Sequence, residues 1–143
     1  MDYSEGAVRL GAEYAGSCGF GQIVFRQADI LDSGVDLGTA ALVIDKGTFD
    51  AISLAEADPE RNIEGGRIRT LCGKFKGALL RILVQSPDAR FLITSCNWTR
   101  DELCLLFAPE FLPHDEVSHQ TFSFGGQVGQ TVTTIAFKLD SYE

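Results

Sequence analysis

Ala40-Ala41-Leu42-Val43-Ile44 runs without a break into Asp45-Lys46-Gly47-Thr48-Phe49-Asp50, and the reading of this stretch decides the fold. A continuous apolar run of that length, closed by an acid, is the pattern of a strand buried on both faces of a parallel sheet. In open α/β sheets ligands bind beyond the carboxyl ends of the strands. The acid, base and glycine turn at this strand's mouth therefore form the first candidate site.

Upstream, Ser4 is placed to cap a helix in which Val8, Ala12 and Ala15 recur at helical spacing until Gly19 and Gly21 stop it. Residues 22–28 (QIVFRQA) are rich in β-forming types and end at Asp29, which predicts a second strand, and residues 31–39 are polar and glycine-containing, which predicts a loop. Downstream, Asp58-Pro59 reads as a cap followed by proline at the first helical position, with an interruption at Gly65-Gly66. Ile68, Leu71, Cys72, Phe75 and Leu79 then share one helical face. Ser86-Pro87-Asp88 turns the chain into a strand over residues 90–95 (RFLITS). Thr99-Arg100-Asp101-Glu102 is a capping box for a helix that buries Leu103, Leu106 and Phe107 and is ended by Pro109 and Pro113. Residues 117–124 and 131–139 are two extended runs flanking Gly125-Gly126, and Thr133, Ile135, Phe137 and Leu139 alternate at period two, which predicts a closing antiparallel hairpin. The order implies an α/β sandwich with a mostly parallel sheet.

The 143 residues suffice for one domain; 45% are hydrophobic and 22% charged, an ordinary globular composition. No apolar run approaches a bilayer span and the first residues resemble no signal peptide, so a cytoplasmic protein without membrane contact is expected. Net charge of −8 disfavours nucleic-acid binding, which needs lysine and arginine to neutralise phosphates. Cys18, Cys72, Cys96 and Cys104 show no metal-ligand spacing and His114 and His119 add none, so no metal is expected and the cysteines read as free thiols. A thiol enzyme built on Cys96 would need a histidine partner that nothing in the spacing supplies. Asn97-Trp98-Thr99 matches a glycosylation sequon, outweighed by the missing secretory signal.

Four motifs stand in order: Asp2-Tyr3-Ser4-Glu5-Gly6-Ala7-Val8, Asp45-Lys46-Gly47-Thr48-Phe49-Asp50-Ala51-Ile52, Leu92-Ile93-Thr94-Ser95-Cys96-Asn97-Trp98-Thr99 and Phe122-Ser123-Phe124-Gly125-Gly126. Together they resemble the class I, seven-strand protein-lysine methyltransferases that act on elongation factor 1-alpha, the group also described as methyltransferase-like protein 10. The resemblance implies a Rossmann-like fold, S-adenosyl-L-methionine as cofactor and a protein substrate; a monomer is expected. It implies that Asp2 accepts hydrogen bonds from the cofactor's ribose, with Tyr3 beside the adenine, and that Asp29 meets the adenine amino group, with Ile30 against the ring. Asp45, Lys46, Gly47 and Thr48 would shape the methyl-transfer mouth, Asp45 also touching cofactor. Lys46 reads more readily as an ion-pair partner of Asp45 or Asp50 than as a catalyst. Asn97 would be catalytic and, with Trp98 and Phe124, would line the path of the incoming lysine.

The family's first strand and glycine-rich cofactor loop precede the position of Asp2, so residues 1–143 are expected to form a partial methyltransferase domain lacking both. The turn at Gly16-Ser17-Cys18-Gly19-Phe20-Gly21 follows a helix, not a strand, and reads as a helix stop. A nicotinamide-dependent Rossmann enzyme is disfavoured by the absence of GxGxxG and by the hairpin tail. The alternative kept is a truncated, inactive product of the same family acting at most as a binding module.

Overall fold

The computed structural model describes residues 1–56, 68–124 and 126–140, so the expected helix start at Asp58-Pro59 and break at Gly65-Gly66 lie outside the described residues. The chain divides into two compact units, Met1–Leu37 and Gly38–Glu143.

In the first unit, α1 spans Glu5–Ser17. It starts where expected: the Ser4 hydroxyl oxygen accepts from the Ala7 N–H at 3.3 Å. It stops where expected too. The Gly19 N–H reaches the Gly16 carbonyl and the Phe20 N–H reaches back to Ala15, a closure that needs the positive φ of 80° held by Gly19. Gly11 faces the Phe25 ring so closely that a Cβ there would overlap it. Residues 22–28 do not form the expected strand. Gln27 alone bridges to Asp2, in parallel, with the Asp2 N–H on the Arg26 carbonyl and the Ala28 N–H on the Asp2 carbonyl. A strand needs a ladder partner along its length, and among the described residues only Asp2 lies alongside this segment. Residues 31–39 are loop, as read.

The second unit holds a sheet of order β1-β2-β6-β3, from β1 (Leu42–Lys46), β2 (Arg90–Ser95), β3 (Phe111–Val117) and β6 (Thr133–Leu139). β1 and β2 are parallel, while β6 runs antiparallel to both β2 and β3, so the sheet is mixed where the sequence suggested a mostly parallel one. Helices α2 (Thr48–Glu56), α3 (Ile68–Ile82) and α4 (Arg100–Phe107) connect the strands. Their aromatic rings meet one another and those of the sheet: Phe49 packs on Phe75 with ring centroids 5.3 Å apart, and Phe107 lies 5.2 Å from Phe91 and 5.4 Å from Phe137. Phe49, Phe75, Phe91, Phe107, Phe111 and Phe137 are all fully buried, which makes this the core of the unit.

Three further expectations are corrected. β1 is not buried on both faces: Leu42 and Ile44 are 53% and 65% exposed, because these helices gather over the face that carries Val43, Asp45, Phe91 and Phe137. Pro113 does not terminate α4 but sits inside β3, an edge strand, at a register shift between Pro113 and Asp115; an edge tolerates a residue with no N–H to donate. The tail is also not one hairpin. Residues 121–124 form β4 (Thr121–Phe124) and fold back onto β5 (Gln127–Gln130), while β6 inserts between β2 and β3. The period-two face of β6 is as read, with Ile135 and Phe137 buried. No helix among the described residues is long and apolar enough to cross a membrane.

Candidate functional site

β1 and β2 are neighbouring parallel strands, paired up to Lys46 opposite Thr94, so the segments that leave their carboxyl ends emerge side by side. The segment after β1 is ordered by Asp45. Buried to 6% exposure, its carboxylate accepts the Thr48 N–H through Oδ1 and the Phe49 N–H through Oδ2, both at 3.1 Å. Asp45 thus satisfies the orphan donors that open α2, where negative charge is also favoured by the helix dipole. Burial drives its pKa upward, opposed by the hydrogen bonds from Phe49 and Thr48 and reinforced by the charge of Asp50. Gly47 makes the turn possible with φ of 87°. An added Cβ there would meet nothing within 4 Å, so it is the backbone angle that calls for glycine.

Lys46 points away. Alternation along β1 puts it on the opposite face from Asp45, exposed, and it makes no ion pair with Asp45, Asp50 or any other acid among the described residues. The expected pairing is therefore absent: period two separates neighbours in a strand.

The segment after β2 is held by a second acid. Asp50 Oδ1 accepts the Ser95 hydroxyl at 2.5 Å, and Oδ2 accepts the Cys96 N–H at 2.9 Å. Ser95 Oγ in turn accepts the N–H groups of Asn97 (3.1 Å) and Trp98 (3.0 Å). The Trp98 indole N–H donates to Ser53 Oγ at 2.9 Å, and the Ser53 hydroxyl donates to the Asp50 carbonyl at 2.9 Å. Trp98 is half-buried with its ring 6.3 Å from Phe49, whereas Asn97 is exposed. Thr99 then starts α4 through the expected capping box with Glu102.

The first unit carries Asp2, Tyr3, Asp29 and Ile30. The Asp2–Gln27 bridge sets Asp2 beside the backbone that leads into Asp29. Asp2 Oδ1 accepts the Ser4 N–H and Asp29 Oδ1 accepts the Leu31 N–H, both at 2.8 Å. Tyr3 is 80% exposed and Ile30 half-buried. Phe124 belongs to β4, and its side chain lies outside the described set. The structure therefore gathers Asp45, Gly47, Thr48, Asn97 and Trp98 at two adjacent strand ends of one unit and pairs the segments of Asp2 and Asp29 in the other. It also joins to the first group three residues that sequence reading passed over as site members: Asp50, Ser53 and Ser95. Forty-five positions separate Asp50 from Ser95, and no local spacing signals such a link.

No family model matches the chain. Among curated proteins, EEF1A lysine methyltransferase 2 of Danio rerio is 36% identical over 138 residues, covering 96% of this chain and 54% of that protein. The human protein of the same name is also 36% identical over 96% of this chain and 54% of its own length. Protein-lysine N-methyltransferase EFM4 of Saccharomyces cerevisiae is 35% identical, with coverage of 96% and 57%. The chain thus spans about half the length of the curated relatives it matches. Among solved structures, TrmN from Thermus thermophilus superposes with a TM-score of 0.63 at 16% identity, over 96% of this chain and 34% of that one, which shows a shared fold.

Proposed function

From its 35–36% identity, along nearly its whole length, to EEF1A lysine methyltransferase 2 and EFM4, we propose that this chain belongs to their family of protein-lysine methyltransferases and serves transfer of a methyl group from S-adenosyl-L-methionine to a lysine side chain of elongation factor 1-alpha. The observation that carries this reading is the match to those relatives along nearly the whole chain. The setting proposed is the cytoplasm, with a monomer that engages a protein and neither nucleic acid nor membrane. The net charge of −8 supports that choice of partner.

The nucleoside half of such a cofactor offers hydroxyl and amino donors, and carboxylates are their natural acceptors. Asp2 and Asp29 fit that demand. Each is braced by one local N–H at Oδ1, and a carboxylate retains further acceptor sites beyond one such bond. When bound, the cofactor supplies an electrophilic methyl on a sulfonium. The chain's own residues bind and align the acceptor. The Asn97 side-chain oxygen accepts an N–H of the neutral lysine amine, and the Trp98 ring offers an apolar wall that attracts the cationic methylated product through its π face. Asp45 and Gly47 contribute by fixing the turn after β1 rather than by proton transfer, since both Asp45 oxygens are occupied by the start of α2.

The test is incubation of the purified chain with S-adenosyl-L-methionine and elongation factor 1-alpha, read by mass spectrometry as methylated lysine. Calorimetry measures cofactor binding in parallel. Modification is expected, and Asn97→Ala is expected to lower kcat/KM for the protein substrate by at least about tenfold. Absence of both cofactor binding and lysine methylation would overturn the reading. Unchanged turnover in Asn97→Ala would remove that residue from the site.

A further inference from the structure

From the hydrogen-bond pattern around Asp50 we infer that Asp50 and Ser53 are positioning residues, which clamp the segment Ser95-Cys96-Asn97-Trp98 in the one conformation that presents Asn97 to a protein substrate. The substrate part of this inference rests on the methyltransferase reading; the clamp itself does not.

The direction of each bond follows from chemistry. Ser95 Oγ already accepts two backbone N–H groups, from Asn97 and Trp98, so its own proton must go to Asp50. Asp50 must then accept twice, from Ser95 and from the Cys96 N–H, on two different oxygens. A carboxyl group offers an acceptor oxygen to each of the two donors. An amide at position 50 would set an NH2 against one of the two donors. Ser53 makes the second attachment: its hydroxyl donates to the Asp50 carbonyl and accepts the Trp98 indole N–H. The whole assembly is sheltered, with Ser95 1%, Ser53 7% and Asp50 9% exposed, so water is a poor replacement for any of these partners. Asn97, between the two anchored residues, is exposed. A segment pinned on both sides of one free amide side chain is an arrangement for holding that amide in place. α2 therefore does two things: it begins at the Asp45 cap, and its residues 50 and 53 hold the exit of the neighbouring strand.

Trp98 is the sole tryptophan of the chain, so its emission reports the clamp directly and without any assay of turnover. Ser53→Ala removes both hydrogen bonds, whereas Ser53→Thr keeps a hydroxyl that can make both. Asp50→Asn breaks the acceptor pair. The expected result is a red-shifted and more readily acrylamide-quenched Trp98 in Ser53→Ala and Asp50→Asn, with Ser53→Thr matching the wild type. Should Asp50→Asn fail to fold, the Ser53 pair decides. Unchanged emission and quenching in folded Ser53→Ala would overturn the clamp. In the methylation assay, KM for the protein substrate is expected to rise about tenfold or more in Ser53→Ala, with KM for S-adenosyl-L-methionine unmoved and Ser53→Thr restoring the wild-type value. Equal effects on both KM values would overturn the substrate-presenting role. A wild-type chain that transfers no methyl overturns the reading of function, while the fluorescence result still decides the clamp.

Discussion

Asp45 is held by opposed forces: burial disfavours its charge, and the N–H groups of Thr48 and Phe49 favour it. Burial is the larger influence, so the folded protein holds this proton more tightly than the unfolded chain does. A carboxyl whose pKa is raised on folding contributes stability that is present at low pH. That contribution is lost as pH climbs from the unfolded value, about 4, through the folded one. Urea unfolding of the wild type and of Asp45→Asn across that interval isolates the effect, since asparagine does not titrate. The wild type is expected to lose stability relative to the variant as pH rises; a relative gain would mean that the cap bonds outweigh burial. Gly47 is simpler. Its φ of 87° is costly for any residue with a Cβ, and the space around it is open, so Gly47→Ala should lose about 1–2 kcal/mol from the backbone alone. The same unfolding experiment measures it.

Among the elements, α4 has the most local specification. Thr99 Oγ1 accepts the Glu102 N–H, while the Glu102 carboxylate accepts from the Thr99 N–H and hydroxyl, which holds its pKa below the usual range. Thr99→Ala should cost about 1 kcal/mol and Thr99→Ser much less, checked by the shift in urea midpoint at constant slope. This box was legible in the sequence because four consecutive residues contain all of it. β2 was legible for a similar reason, alternation within a single strand. What could not be read is what joins distant positions. Residues 117–124 were matched to residues 131–139 because they are neighbours along the chain, yet β6 takes as its partners β2 and β3, and β3 was hidden by Pro113, which reads as a stop until its place on an edge is known. α2 was missed because its cap, Asp45, lies on the far side of a glycine turn and looks like a ligand group. The candidate site was partly legible for the same reasons: polar residues directly after apolar runs located its strand ends, whereas the tie from Asp50 to Ser95 spans the sequence and exists only once β1 and β2 pair.

At the scale of the molecule the two units differ in what they bury. Among the described residues, 1–37 contribute only Ala15 and Ala28 to the buried apolar set, and Cys18 is a free thiol, so no cross-link supplements them. Residues 38–143 contribute six phenylalanines, together with Leu79, Ile93, Leu103 and Ile135, all fully buried. Burial of a large apolar side chain is worth about 1.5–3 kcal/mol, and segments shorter than about 40 residues rarely stabilise themselves without a staple. Within the first unit, helix α1 has the Ser4 cap, the closure at Gly19 and the Phe25 ring against Gly11, which carry far less than a core. Native-state hydrogen exchange with rising denaturant should separate the two. Amides of β2 and β6, paired through their lengths and lined by Phe91, Ile93, Ile135 and Phe137, should exchange only by global unfolding, while those of α1 should open locally at lower free energy and with little denaturant dependence. If the α1 amides merged instead with the global isotherm, the first unit would share the cooperativity of the second, and its stability would have to come from outside its own buried set.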